Sequence, residues 1–258
     1  MSLARFALAA AALAGVAAAV PAIACTPEPG YEVPGNLDLV RQADAVLLGR
    51  VVGGDTASAE DPQAGSIVIR PLEALKGEAA TGDITLAGMS LPVVRDGAVT
   101  GYELSNPFEF ERAHEQAYAG GCIRTTFPLG TTAVFLLKRD ASGWAPAGGP
   151  FARWAEDVPD AQAPWVQLVR VYAVAATLPE ADRVALLSDE REALMARTAE
   201  PLAQLMADDL ARQVGTASAS ASPAASSSFE DAFRDPASES SVDAALRAMR
   251  QGAVEAGN

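Results

Sequence analysis

Residues 36–52 read NLDLVRQADAVLLGRVV, and the fold hangs on the change of period inside them. Asn36 suits a helix N-cap, and Leu37, Val40 and Arg41 follow at helical spacing. At Ala43-Asp44 the pattern turns into Ala45-Val46-Leu47-Leu48-Gly49-Arg50-Val51-Val52, an apolar, β-branched run that predicts a buried strand. A short helix feeding straight into the first core strand is a specific arrangement. It points to a fold and not to a reaction.

Upstream, residues 1–24 carry one basic residue (Arg5), an Ala-rich apolar run from Phe6 to Val20 and a small-residue end, Ala22-Ile23-Ala24. That is the layout of a secretory signal peptide, so the chain is expected to be exported, periplasmic or secreted. The run is short for a membrane span, and no later stretch is long and apolar enough to be one. Between the leader and Asn36, TPEPGYEVPG (26–35) reads as an extended lead-in. A formal net charge of −14 repels nucleic acid and fits a soluble exported chain.

Downstream, residues 53–65 are small and polar and read as a loop. Ser66 to Leu75 alternates as a second strand, with Pro71 demoting part of it to an edge or a bulge. Asp83 to Ala87 reads as a third strand, and Arg95-Asp96-Gly97 as a hairpin turn between Leu91–Val94 and Ala98–Thr100. Asn106-Pro107 followed by FEFERAHEQAYAGG predicts a short helix capped by Asn106 and stopped at Gly120-Gly121. Thr131 to Lys138 is the clearest late strand, and Trp144-Ala145-Pro146 starts another. Several short strands with turn chemistry between them point to a small barrel or sandwich.

From about Ala163 the period becomes helical: Trp165, Leu168, Val169, Tyr172 and Ala176, then segments opened by Pro179 and Pro201. The domain plan is therefore a leader over 1–24, a barrel over 25–158, a helical extension over 159–215, and a disordered Ser/Ala-rich linker over 216–241. A tail over 242–258 has the pattern of a short helix.

No catalytic residue and no cofactor are expected. His114, the only histidine, has Glu111 three residues before it, but one such pair falls short of a zinc site, and a His–Glu contact on an exposed helix is the expectation. Neither a nucleophile motif nor a phosphate-binding loop is present. Trp144, Phe151, Trp154 and Trp165 are expected to form one seam docking the helices on the barrel. Glu156-Asp157 with Asp160 reads as a solvated turn, not a Ca²⁺ loop.

The order Cys25-Thr26-Pro27, LVRQADAVLLGRVV, Leu75-Lys76-Gly77, Cys122, Phe127-Pro128-Leu129-Gly130 and TTAVFLL resembles the netrin-like OB-barrel domains, a group that includes the tissue inhibitors of metalloproteinases. The likeness spans about residues 25–150. It implies a mainly β, OB-like small barrel and a disulfide between the first-residue cysteine, here Cys25, and Cys122. It departs from the inhibitors in lacking their further cysteines, and the helical extension is not part of the basic barrel.

Three uses of Cys25 follow. Lipidation through the degenerate lipobox Ala22-Ile23-Ala24-Cys25 would anchor the protein to a membrane. Ordinary cleavage behind Ala24 would free Cys25 to pair with Cys122, which thiol parity favours in an oxidising compartment. In the third, the freed α-amine and carbonyl of Cys25 chelate zinc and Thr26 enters the protease pocket, as the resemblance implies for an inhibitor; no resident metal is needed. The leading expectation is a non-enzymatic exported binding module whose partner is a protein of the envelope or beyond, with no nucleic acid and no membrane unless Cys25 is lipidated.

Overall fold

The computed structural model describes residues 26–56, 65–78, 81–95, 98–99 and 102–219. The expectations for residues 1–24, Cys25, Asp96-Gly97 and the chain beyond Ala219 lie outside the described residues.

The opening helix is α1, Asn36–Gln42, and the strand it feeds is β1, Ala45–Gly54. β2 (Ser66–Lys76), β3 (Ile84–Ala87), β6 (Thr132–Asp140), β7 (Gly143–Pro146) and β8 (Ala155–Asp157) join β1 in one antiparallel sheet. Val94–Arg95 and Ala98–Val99, β4 and β5, pair separately as the expected hairpin. The sheet order is β3-β2-β1-β6-β7, with β8 on the free part of β6. The sheet curls until β3 lies against β7, and the result is a half-barrel. Register shifts between β1 and β2 at Val46/Leu47, Leu48/Gly49 and Val51/Gly53 supply the extra coil. β2 continues through Pro71, which sits opposite Gly49 beside one of these shifts.

β1 over residues 45–48 and β6 over residues 133–137 are continuously apolar because both of their faces are covered there. Ala45, Leu47 and Val51 pack inside the curl with Ile67, Ile69, Phe135 and Leu137. Val46, Leu48, Val134 and Leu136 face the other way, into a core shared with α1 and with α2 (Pro164–Ala175), α3 (Glu180–Met195) and α4 (Pro201–Ala219). A strand between two cores loses the polar alternation of a half-exposed one. Gly49 belongs to the inner face, where a Cβ would stand 2.6 Å from Ile69 Cγ2. No larger residue fits there.

Leu75-Lys76-Gly77 finishes α1. The Lys76 ammonium donates to the carbonyls of Val40 (2.8 Å), Arg41 (3.2 Å) and Ala43 (2.5 Å), the acceptors a helix C-terminus leaves open. Burial holds its pKa below the ordinary lysine value, against the pull of Asp44. Gly77 follows at φ +80°, where a side chain would run into the Asp44 carbonyl.

The N-terminus of α1 departs from expectation. Gly35 holds the cap position and makes no side-chain cap, while Asn36 is the first helical residue and is buried. Gln213 Oε1 accepts from the Leu37 N–H at 3.1 Å, so α4 caps α1. Asn36 Nδ2 donates instead to the Phe110 carbonyl (2.6 Å) and to both oxygens of Asp209 (3.1 and 2.9 Å). Tyr172 Oη donates to the same carboxylate at 2.5 Å and Arg212 Nη2 at 3.1 Å. Asp209 has no exposure to solvent. Residues 159–215 therefore share a core with the sheet and a buried polar network with α1.

Four further expectations are corrected. Residues 106–113 form turns, and only Glu115–Tyr118 closes a short 3-10 helix, with His114 as its cap. The carbonyls of Glu109 and Phe110 are taken by Arg153 and Asn36, and the Asn106 and Glu109 side chains accept from the N–H groups of Phe108, Glu111 and Arg112, so a helical ladder has no groups left to use. The four aromatics do not form one seam: Trp154 and Trp144 pack with the inner core, Trp165 with the helices, and Phe151 stacks on Tyr118. Glu156 and Asp157 lie on β8, not in a solvated turn, and Glu156 is buried. α4 runs to Ala219, four residues into the segment expected to be a linker.

Removing the Asp209 carboxylate would leave the buried Tyr172 hydroxyl without its acceptor and would take one acceptor each from Asn36 and Arg212. Asp209→Ala should cost about 3–5 kcal/mol, the range for breaking a buried charged network. Tyr172→Phe, which removes one donor and keeps the ring, should cost about 1–3 kcal/mol. Urea unfolding measures both, and equal losses would show that packing and not the network holds α4.

Candidate functional site

Alternation along β8 creates the site. Ala155 joins the inner core, and Glu156 and Asp157 are carried with it to the border where residues 102–118 cross the sheet. Arg124, 1% exposed, reaches the same place and must be paired there. Its Nη2 donates to Asp157 Oδ1 at 2.7 Å and to Tyr102 Oη at 2.6 Å, and its Nη1 to the Ala155 carbonyl at 3.2 Å. The guanidinium lies 4.2 Å from the Phe127 ring centroid. Asp157 Oδ2 accepts from Tyr102 Oη (2.5 Å) and the Ser105 N–H (3.1 Å). Burial pushes the Tyr102 hydroxyl far above its ordinary pKa, helped by the Asp157 charge and opposed by Arg124.

His114 is buried beside this pair and not on an exposed helix face. The Gln116 N–H donates to Nδ1 at 3.2 Å, so the ring proton sits on Nε2, which donates to the Glu103 carbonyl at 2.7 Å. Both nitrogens are thus taken by backbone. Glu111 does not appear among its partners; the carboxylates that face it are Asp157, 4.0 Å from Nε2, and Glu156, which accepts from the His114 N–H at 3.1 Å. Burial first, and the Arg124 charge second, hold its pKa below the ordinary value.

The outer part of the cluster is less complete. Arg153 is 4% exposed, with Nε 3.5 Å from Glu156 Oε1 and Nη2 donating to the Glu109 carbonyl at 2.8 Å. Its Nε and Nη1 make no hydrogen bond, nor does the Trp165 indole Nε1. Arg153 stacks on the Trp165 ring at 4.2 Å, and both line a cavity of about 40 Å³ between residues 105–110 and the start of α2.

Of the residues singled out in the sequence, Cys122 is described and Cys25 is not; no described cysteine is a free thiol. Thr26 is exposed at the start of the described chain. The lead-in returns to the neighbourhood of Cys122: Tyr31 Oη donates to the Pro150 carbonyl at 2.8 Å, and the Phe151 N–H donates to the Cys122 carbonyl at 2.6 Å. No group of three or more metal-ligating side chains occurs among the described residues, and no described helix is long and apolar enough to cross a membrane. Arg124, Arg153 and Tyr102 were not anticipated. The available signal was an arginine inside an aromatic context, IRTTF and FARWA, where a surface charge would be out of place.

Compared with known proteins, the chain matches no family model, no curated protein and no solved structure.

The chain has one histidine, so its titration can be followed alone. With the folded pKa below 6.5, the unfolded state takes up the proton first, and stability falls as pH drops below that value until it passes the folded pKa. The exposed Asp83, Asp140 and Glu200, whose pKa values are lowered, titrate below this window. Thermal melts should therefore show Tm dropping from pH 7.5 to 5, and His114→Gln should flatten that slope. A wild-type slope retained in the variant would assign the effect elsewhere.

Proposed function

We propose that this chain is an exported, non-enzymatic binding module built on an OB-like barrel, closed by a Cys25–Cys122 disulfide and capped by its helices. The observation that carries the reading is the sheet order β3-β2-β1-β6-β7 with β3 returning against β7, which is the strand order of a five-stranded OB barrel. The chemistry of the buried cluster agrees with it. His114, Tyr102 and Asp157 spend their polar atoms on one another and on backbone, so none of them is free to move a proton on a substrate. The partner is a protein of the envelope or the extracellular space.

One observation favours the inhibitor alternative as well. Tyr31 and Phe151 bring the lead-in and Cys122 to one region, and Thr26, five residues before Tyr31, is exposed. Six residues can span about 20 Å, so a Cys25 bonded to Cys122 would present its amine at the surface. That amine and the residue's own carbonyl form a five-membered chelate with zinc.

The mature exported protein should weigh two hydrogens less than its reduced sequence from Cys25 onward, and a diacyl addition would select the lipid-anchored form instead. Titration against zinc endopeptidases then separates module from inhibitor. An inhibitor loses its effect when one alanine precedes Cys25, whereas a module that binds through its barrel or helices shows no inhibition with or without it.

A further inference from the structure

Arg153 has its charge balanced and its hydrogen bonds incomplete. Glu156 Oε1 stands 3.5 Å from Nε, so the positive charge has its counterion. Only Nη2 donates; Nε and Nη1 have no acceptor, and Trp165 Nε1 beneath the guanidinium has none either. Arg153 and Trp165 are each 4% exposed, and both line the 40 Å³ cavity. Buried donors left without acceptors forfeit their hydration with nothing in return, so an arrangement of three is a strong demand for a partner.

The demand is specific in sign. The free groups are all donors, so the occupant must bring acceptors. The wall already holds Glu156 and Asp157, and the whole chain carries a net charge of −14, so a carboxylate would meet repulsion with no unpaired cation to offset it. A neutral acceptor meets none. The size is specific too. A water needs about 10–15 Å³ of such volume, so the cavity takes about three or four waters or one carbonyl group with a small substituent. It is partly open, with exposed Asn106, Pro107 and Pro159 at its mouth.

We infer that this cavity binds a neutral amide carbonyl, which accepts hydrogen bonds from Arg153 and Trp165. The inference rests on the reading of the chain as a binding module and gives that module its ligand chemistry. The carbonyl arrives either on a free small amide or on a peptide segment of a partner, and the proline and tryptophan of the wall suit the apolar part of either.

The full chain, labelled with ¹⁵N, has three indole N–H signals, and Trp165→Phe assigns the one that matters. Acetamide should move the Trp165 signal saturably, and acetate at the same concentration should not. Arg153→Lys keeps a cation beside Glu156 but loses the planar fork, and should weaken acetamide binding about two- to tenfold, the worth of one hydrogen bond. A blocked asparagine, N-acetyl-asparagine methylamide, tells the two sources apart: tighter binding than acetamide supports a peptide, equal binding a free amide. The inference is overturned by an absent or linear shift, by acetate binding as well as acetamide, or by an unchanged Arg153→Lys variant, any of which leaves a cavity filled by water only. Those outcomes spare the module reading, which fails on a different result: release of ammonia from the bound acetamide would support the site and make the protein a hydrolase.

Discussion

A carboxylate with no access to water ties the molecule together. Asp209, on the last described helix, accepts from Asn36 on the first, from Tyr172 on the helix between them in the stack, and from Arg212 on its own. Four residues further along, Gln213 caps the helix that Asn36 begins. A charge at that depth is tolerable only with every partner in place, because desolvation alone would exceed the attraction to any single one. Its contribution is therefore to orientation: α1 has one allowed position against α4, and β1, which follows α1 after two residues, inherits that position.

The second constraint is that β1 and β6 are covered on both faces. Alternate residues of the same strand serve two different cores, so a one-residue slip of register would exchange Leu47 for Leu48 and bring side chains of the wrong shape to both. Gly49 sharpens this, since a Cβ there would run into the Ile69 side chain on the inner face. The half-barrel and the helical layer are thus two sides of one pair of strands, although their sequences look like separate segments.

Much of this was legible in the sequence and the remainder was hidden for identifiable reasons. Period and turn chemistry placed β1, β2, β3, β6 and the three late helices, because those features depend on neighbours in the chain. The cap of α1 was misread because Asn36 has the chemistry of a local cap, and it took a partner 173 residues away to claim its amide. The helix expected over 107–119 has suitable propensities but loses its carbonyls to Arg153 and Asn36, which no local pattern records. The site suffered most. Glu156 and Asp157 look like surface residues in a Pro- and Asp-rich context, and their burial follows only from β8 pairing with β6. Thr26, which the resemblance brought forward with Cys25, does not line the cavity at Arg153.

The two ends of α1 also set an order of events. Lys76 closes its C-terminus from 36 residues away along the chain and Gln213 its N-terminus from 176. A seven-residue helix cannot hold itself together in water, so it waits for both. A chain lacking Gln213 keeps α1 and α2 to cover the outward faces of β1 and β6 but loses the cap on the first turn of α1. Such a topology has a high contact order, and its last closure is also its longest. The helix and the strand it leads therefore settle only when contacts from both directions along the chain are in place.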